Sequence, residues 1–187
     1  MPTPTKPLAT AALAMLALLF PLGITQAEAR SAAQIAAQGR ATLRQLEAQE
    51  PRSRAIARHA VAVMVFPSIY KAGLVFGGES GNGVMLVHGR AKGFYNLSGG
   101  SWGLQIGGQK FSYVLFLMND GAVRHVTEKG GFAAGSGPSV AVINKGAATE
   151  ADTSMIDRDV YAFPFNQKGL MADLTLEGTK ISPIHPR

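Results

Sequence analysis

The chain has 187 residues, 47% of them hydrophobic and 16% charged, which suits one folded domain with an extension. Its formal net charge of +6 favours anionic partners such as phospholipid head groups, nucleic acid or acidic glycans. The sequence contains no cysteine, which excludes disulfides, thiolate metal sites, a cysteine nucleophile and a lipid-modified N-terminal cysteine.

The first 29 residues have the pattern of a secretory signal peptide. Lys6 provides a positive start, residues 8–22 form an apolar segment, and Ala27-Glu28-Ala29 has the small-x-small pattern of a cleavage site. The apolar segment is shorter than the roughly 20 residues that a membrane-spanning helix needs. We therefore expect an exported protein, periplasmic or secreted, with a retained anchor as the alternative.

Residues 30–51 are predicted to be helical. Ser31 and Gln34 fit a capping box, in which each side chain satisfies a backbone donor of the first turn. Apolar or small residues then recur at spacings of three and four, at Ile35, Gly39, Leu43 and Leu46. Pro51 ends this helix and begins a second one that runs to about His59.

From Ala60 onward, short apolar segments alternate with glycine-rich ones, and roughly eight or nine strands are predicted. In the segment from Phe66 to Leu86, two β-prone runs are joined by glycines. Gly81-Asn82-Gly83 is typical of a hairpin turn, because such turns need positive φ. The predicted fold class is α+β: an antiparallel β-sandwich or barrel-like β-domain preceded by N-terminal helices.

The C-terminal part continues this pattern. Phe111 to Met118 is predicted to be a strand that Asn119-Asp120-Gly121 closes with a turn. Ala122 to Glu128 is ambiguous and fits a short helix. The last predicted strand pair is Val160 to Phe165 and Leu170 to Leu176, with a turn at Gln167-Lys168-Gly169.

Several of these segments resemble the SYLF domain, also called the Ysc84-type lipid-binding domain. They follow the family's order: FPSIYKAGLVFGGESGNGVML, GFYNLSGGSWGLQIGGQ, VLFLMND, GSGPSVAV and NQKGLMADLTLEGTKISPI. The resemblance covers essentially everything after Arg52. It implies a SYLF-like β-rich domain at 52–187, which follows the predicted signal peptide at 1–29 and the predicted helical lead-in at 30–51. Eukaryotic members associate with membranes through phosphoinositides and some bind actin, whereas a bacterial exported member implies anionic lipid.

A competing interpretation comes from Gly99 to Gly103, which matches the G-x-S-x-G string of serine hydrolases. That motif needs its serine on a sharp turn from strand into helix. Ser101 is instead followed by alternating strand-like residues, so a hydrolase using Ser101 is the third hypothesis.

Other chemistries have weaker signals. The histidines show no paired spacing, and Asp152, Asp157 and Asp159 do not complete a calcium-loop pattern, so a solvated loop is expected there. No cofactor or obligatory metal is predicted. Nucleic acid is disfavoured, since no aromatic residues interleave with the arginines.

The predicted function is therefore a non-enzymatic lipid- or membrane-binding module of the bacterial cell envelope. The predicted lipid-binding residues are Arg52, Arg54, Arg58, Lys71, Lys92 and Lys110. In one route the arginines face anionic phospholipid head groups while apolar helix residues enter the interface. In the other, Lys71 with Lys92 or Lys110 lines a pocket at one end of the β-structure. An envelope structural or protein-interaction module is the alternative.

Overall fold

The computed structural model describes residues 30–73, 76–102, 107–128, 132–133, 137–143, 158–168 and 179–187. The predicted signal peptide and the predicted strand from Leu170 to Leu176 lie outside these residues. Within the described ranges, none of the helices has the length and apolar character that crossing a membrane requires.

Two helices precede the sheet, as the sequence predicts. α1 (Ala32–Gln49) begins with the expected capping box: the backbone N–H of Gln34 donates to Ser31 Oγ over 3.2 Å, and the N–H of Ser31 donates to Gln34 Oε1 over 3.0 Å. α2 (Pro51–His59) starts with its proline in the first turn, where a backbone N–H would have no acceptor within the helix.

Eight strands lie in the described residues. They are β1 (Ala62–Gly73), β2 (Phe76–Val87), β3 (Arg90–Trp102), β4 (Gly107–Leu117), β5 (Phe132–Ala133), β6 (Val140–Val142), β7 (Val160–Lys168) and β8 (Thr179–Ile184). A third helix, α3 (Asp120–Thr127), lies between β4 and β5.

These strands form one sheet in the order β5-β8-β3-β2-β1-β4-β7-β6, and it curls into a half-barrel. Neighbouring strands are antiparallel except β6 and β7, which are parallel. The predicted α+β class with preceding helices is confirmed. A single curled sheet corresponds to the barrel-like alternative rather than to a two-sheet sandwich.

The predicted hairpin turn at Gly81-Asn82-Gly83 is wrong, because all three residues lie inside β2 and pair with β3. Glycine is needed at position 83 because β1 and β2 approach each other closely, and not because the backbone has a positive φ. A Cβ at Gly83 would lie 2.5 Å from the carbonyl oxygen of Val65 on the neighbouring strand. Between β2 and β3, where the chain turns, φ is positive at His88 (49°) and at Gly89 (74°).

Two further predicted turns are also wrong. Gln167 and Lys168 belong to β7, and the segment after β4 starts α3. Asn119 caps that helix by accepting the N–H of Ala122 over 2.8 Å. Asp159, expected in a solvated loop, accepts hydrogen bonds from the side chain of Asn119 and from the backbone and side chain of Ser139.

The sheet is packed on both faces. α1 covers one of them, here called the α1 face, over a core that includes Val65, Val84, Phe116 and Phe163. The other, here called the α3 face, has a core that includes Met64, Ile69, Leu97, Phe111, Tyr113 and Val126. Because side chains alternate along a strand, successive residues are sorted between the two faces.

Gly83→Ala tests the close approach of β1 and β2. The new methyl group would meet the Val65 carbonyl and the Phe66 ring, so we expect the free energy of unfolding to fall by about 1–3 kcal/mol. Gly100→Ala is the matched control, since a Cβ there meets nothing within 4 Å and the change should stay within about 0.5 kcal/mol. Urea denaturation measures both. Equal losses for the two variants would contradict the packing explanation.

Candidate functional site

A row of polar side chains crosses the α1 face near one end of the strands. Its members are direct register partners on six neighbouring strands: Lys180, Ser98, Ser80, Tyr70, Lys110 and Lys168. Direct partners point to the same face of a sheet. Lys110 alternates with Phe111 of the α3-face core, so the row lies on the α1 face. We call these six residues the lysine row.

Tyr70 stands in the middle of the lysine row and is 53% exposed, although it is a large aromatic residue. The Nζ of Lys110 lies 5.3 Å from the centroid of its ring, a cation–π contact. Hydrogen bonding from Lys110 is the main cause that lowers the pKa of the Tyr70 phenol, and the charges of Lys110 and Arg30 act in the same direction. No member of the row is acidic, and Tyr70 has Lys110 as its direct partner on one side and Ser80 on the other.

The next residues along the same strands form a second row on the α3 face. Its members, again direct register partners, are Thr179, Gly99, Glu79, Lys71 and Gln109. Lys71 is 9% exposed and Gln109 is 3% exposed, which is unusual for such polar residues. We call these five residues the buried polar row.

Tyr113 lies on the same face of β4 as Gln109, four residues further on, and is 2% exposed. Burial raises the pKa of its phenol far above the ordinary range, and the negative charge of Glu79 adds to this. Burial likewise raises the pKa of Glu79, an effect that the charge of Lys71 partly offsets. Lys71 and Glu79 are close enough to interact electrostatically, yet they do not form an ion pair within 4.0 Å.

The predicted arginine cluster lies elsewhere. Arg52 makes an ion pair with Glu50 over 3.0 Å, and Arg54 donates to the backbone carbonyl of Glu47 over 2.7 Å. Arg58 is exposed at the end of α2, just before β1 begins. Two of the three arginines are thus engaged within the helical part of the chain.

The predicted lysines do not share one pocket. Lys71 and Lys110 lie on neighbouring strands but on opposite faces, one buried and one exposed. Lys71 is also nine residues along β1 from Ala62, about 30 Å at 3.3 Å per residue, and so lies far from the arginines of α2. Lys92 lines a separate open pocket of about 380 Å³ with Tyr95 and His185.

The sequence pattern did not point to Tyr70, Lys168 and Lys180 of the lysine row or to Glu79 of the buried polar row. Each of these residues is ordinary in sequence, and only the strand register brings them into the rows. Ser101, the nucleophile of the hydrolase hypothesis, lies in β3 with its backbone opposite Gly77, and its side chain lies outside what the structure describes.

The model of the Ysc84 family, described as Las17-binding protein actin regulator, matches residues 98–185. The match runs from β3 to the end of β8 and includes four of the six members of the lysine row as well as Gln109 and Tyr113. The resemblance predicted from the sequence is confirmed over this segment. No curated protein matches the chain.

Glu79→Gln tests the burial of the carboxyl group. The folded protein keeps a proton on Glu79 to higher pH than the unfolded chain, whose ordinary pKa is 4.5. The contribution of Glu79 to the free energy of unfolding therefore decreases as the pH rises from about 4.5 through the pKa of Glu79 in the folded protein.

Because glutamine cannot ionise, we expect the free energy of unfolding of Glu79→Gln, relative to the unsubstituted protein, to rise between acidic and neutral pH. Thermal unfolding across that range measures it. Glu128→Gln, an exposed position at the end of α3, controls for the change in net charge. Parallel curves for the Glu79 variant and the unsubstituted protein would show that the carboxyl is not desolvated.

Proposed function

We propose that this protein is a non-enzymatic module that binds anionic phospholipid surfaces through the lysine row, and that it does so in the bacterial cell envelope, as an exported member of the family it resembles. The observation that supports this proposal most directly is an exposed aromatic ring in a row that has three lysines, two serines and no carboxylate. Aromatic side chains are favoured at membrane interfaces, where the ring contacts the acyl boundary and the hydroxyl contacts head groups.

The shape of this surface supports the same proposal. Six strands spaced by about 4.8 Å extend the lysine row over roughly 25 Å, wide enough to contact several lipids at once. The next row outward on the α1 face consists of Gly108, Ala72, Gly78 and Gly100, all exposed. With no side chain larger than a methyl group there, nothing on that row holds a flat surface away from the lysines.

The charge of the row sets the expected strength of binding. Each basic residue near an anionic membrane contributes about 1 kcal/mol. Lys110, Lys168, Lys180 and Arg30 together would contribute roughly 4 kcal/mol, a useful but salt-sensitive attraction. In this proposal the arginines of α2 contribute less than the sequence suggested, because Arg52 and Arg54 already have partners in the helices.

A protein-interaction module is the second candidate. The description of the matching family model names binding to the protein Las17 and regulation of actin, which points to protein partners for that family. For this chain, an acidic protein surface would use the same lysines as a membrane. Vesicles without any protein separate the two candidates.

The double substitution Lys110→Gln/Lys168→Gln tests the lipid proposal. Two lost cations should weaken binding to phosphatidylglycerol-containing vesicles by about 30-fold at low salt. Vesicle sedimentation measures this, and raising the salt should reduce the difference between the variant and the unsubstituted protein.

Arg54→Gln/Arg58→Gln is the matched control, with the same loss of charge at α2, and should weaken binding much less. Equal losses of binding for the two double variants would show that binding depends on the net charge of the protein and not on the lysine row in particular. Equal binding to neutral vesicles would contradict the electrostatic mechanism itself.

A further inference from the structure

The pocket beside Lys92 lies away from the lysine row, at the end of β3 where β8 separates from it. β8 pairs with β3 only as far as Phe94, whose partner is Ile184, whereas β3 itself starts at Arg90. After β8 the chain runs to the start of α1, where the backbone carbonyl of Arg187 accepts the N–H of Ala32 over 3.1 Å. The two segments diverge, and the pocket of about 380 Å³ lies between them.

A β-bulge determines where the cation of this pocket lies. In the pairing of β3 with β2, Gly93 faces Met85 and Ala91 faces Leu86, so Lys92 is the extra residue between them. Such a bulge bends the strand and changes the direction of the inserted side chain, and bulges are common beside functional sites. Lys92 is exposed and lines the pocket, so the irregularity of the strand places an ammonium group there.

Tyr95 forms a flat wall of the same pocket. It is 6% exposed, and its ring lies over Gly93, where a Cβ would be 3.0 Å from Cε2 and 3.1 Å from the hydroxyl oxygen. A glycine at this position therefore leaves the space that the ring occupies. Pro183 and Pro186 also line the pocket and present rigid apolar rings. Apolar walls with a few polar groups are typical of sites for small molecules.

The charge and the size of the pocket restrict its ligand. Lys92 and His185 are basic, and none of the described residues that line the pocket is acidic. One ammonium group balances one negative charge, and a carboxylate has two oxygens that can accept from the ammonium and from an imidazole N–H. The volume is at the small end of the range of about 300–1,000 Å³ for such sites, which suits a molecule with a single ring.

We propose that this pocket binds a small carboxylate with a flat apolar body, such as an aryl carboxylate. The carboxylate pairs with the Lys92 ammonium and accepts from the His185 ring, while the body of the ligand packs against Tyr95 and the two prolines. This site differs from the lysine row in position and in ligand. The inference therefore stands or falls independently of the proposed membrane binding.

Titration of the ¹⁵N-labelled protein with benzoate, followed by nuclear magnetic resonance, tests the inference. We expect saturable shifts of the backbone amides at residues 91–95 and 184–185. Lys92→Gln should weaken binding by about tenfold, because the charged partner of the carboxylate is lost. Arg44→Gln removes one charge at an exposed position on α1 and is the matched control, which should keep the affinity of the unsubstituted protein.

Ala91→Leu tests the shape of the site without a change in charge. The larger side chain would occupy the pocket and should abolish benzoate binding, and circular dichroism checks that the variant is folded. Benzyl alcohol has a similar shape but no charge and should bind about tenfold more weakly than benzoate.

An absence of saturable shifts would overturn the inference. So would equal benzoate affinities of Lys92→Gln and Arg44→Gln, or an unchanged affinity of Ala91→Leu. Binding of benzyl alcohol or of inorganic phosphate as tight as that of benzoate would contradict the proposed ligand class.

Discussion

The register of β1 with its two neighbours is the constraint on which both polar rows depend. Tyr70 pairs with Ser80 and Lys110, and Lys71 pairs with Glu79 and Gln109. Because side chains alternate between faces, this register puts a tyrosine among exposed lysines and a lysine among buried polar groups. A slip of one residue would bury the tyrosine and expose the lysine. The hydrophobic cores on both faces oppose such a slip, since it would exchange every buried residue of β1.

The helical part keeps the lysine row uncovered by fixing where α1 crosses the sheet. Gly39 allows α1 to approach Val84 and Val65 so closely that a Cβ there would clash. Further along the helix, Gln45 and Asn166 exchange side-chain hydrogen bonds of 3.0 and 3.1 Å, which anchor α1 next to β7. The strand ends that carry the lysine row extend beyond this crossing, so Tyr70, Lys110 and Lys168 stay exposed.

The sequence could predict much of the fold because several signals are local. The capping box at Ser31 and the proline at Pro51 give the boundaries of the two helices, and the repeated apolar segments give the β-rich domain. The sequence could not show whether Gly81-Asn82-Gly83 forms a turn or lies inside a strand. Glycine is favoured both where φ is positive and where two strands approach closely, and the two cases look identical in sequence. Only the packing of β2 against β1 decides between them.

The candidate site was harder to predict for a different reason. A single basic residue in an apolar segment, such as Lys71, looks like a solvated charge, and its burial depends on pairing with residues far along the chain. Lys168 and Lys180 meet the row only through β7 and β8, which follow β4 by a long stretch of sequence. The arginines of α2 form a visible cluster in sequence, but their partners Glu50 and Glu47 become apparent only once the helices pack.

The most direct test of the central claim is which part of the protein touches the membrane. Because the chain has no native cysteine, a nitroxide can be attached at a single introduced cysteine, at Ser80 in the lysine row or at Arg58 on α2. Accessibility to oxygen and to a water-soluble relaxation agent is then measured on phosphatidylglycerol vesicles. The account predicts that the label at position 80 enters the interface while the label at position 58 stays in water. The reverse pattern would contradict it.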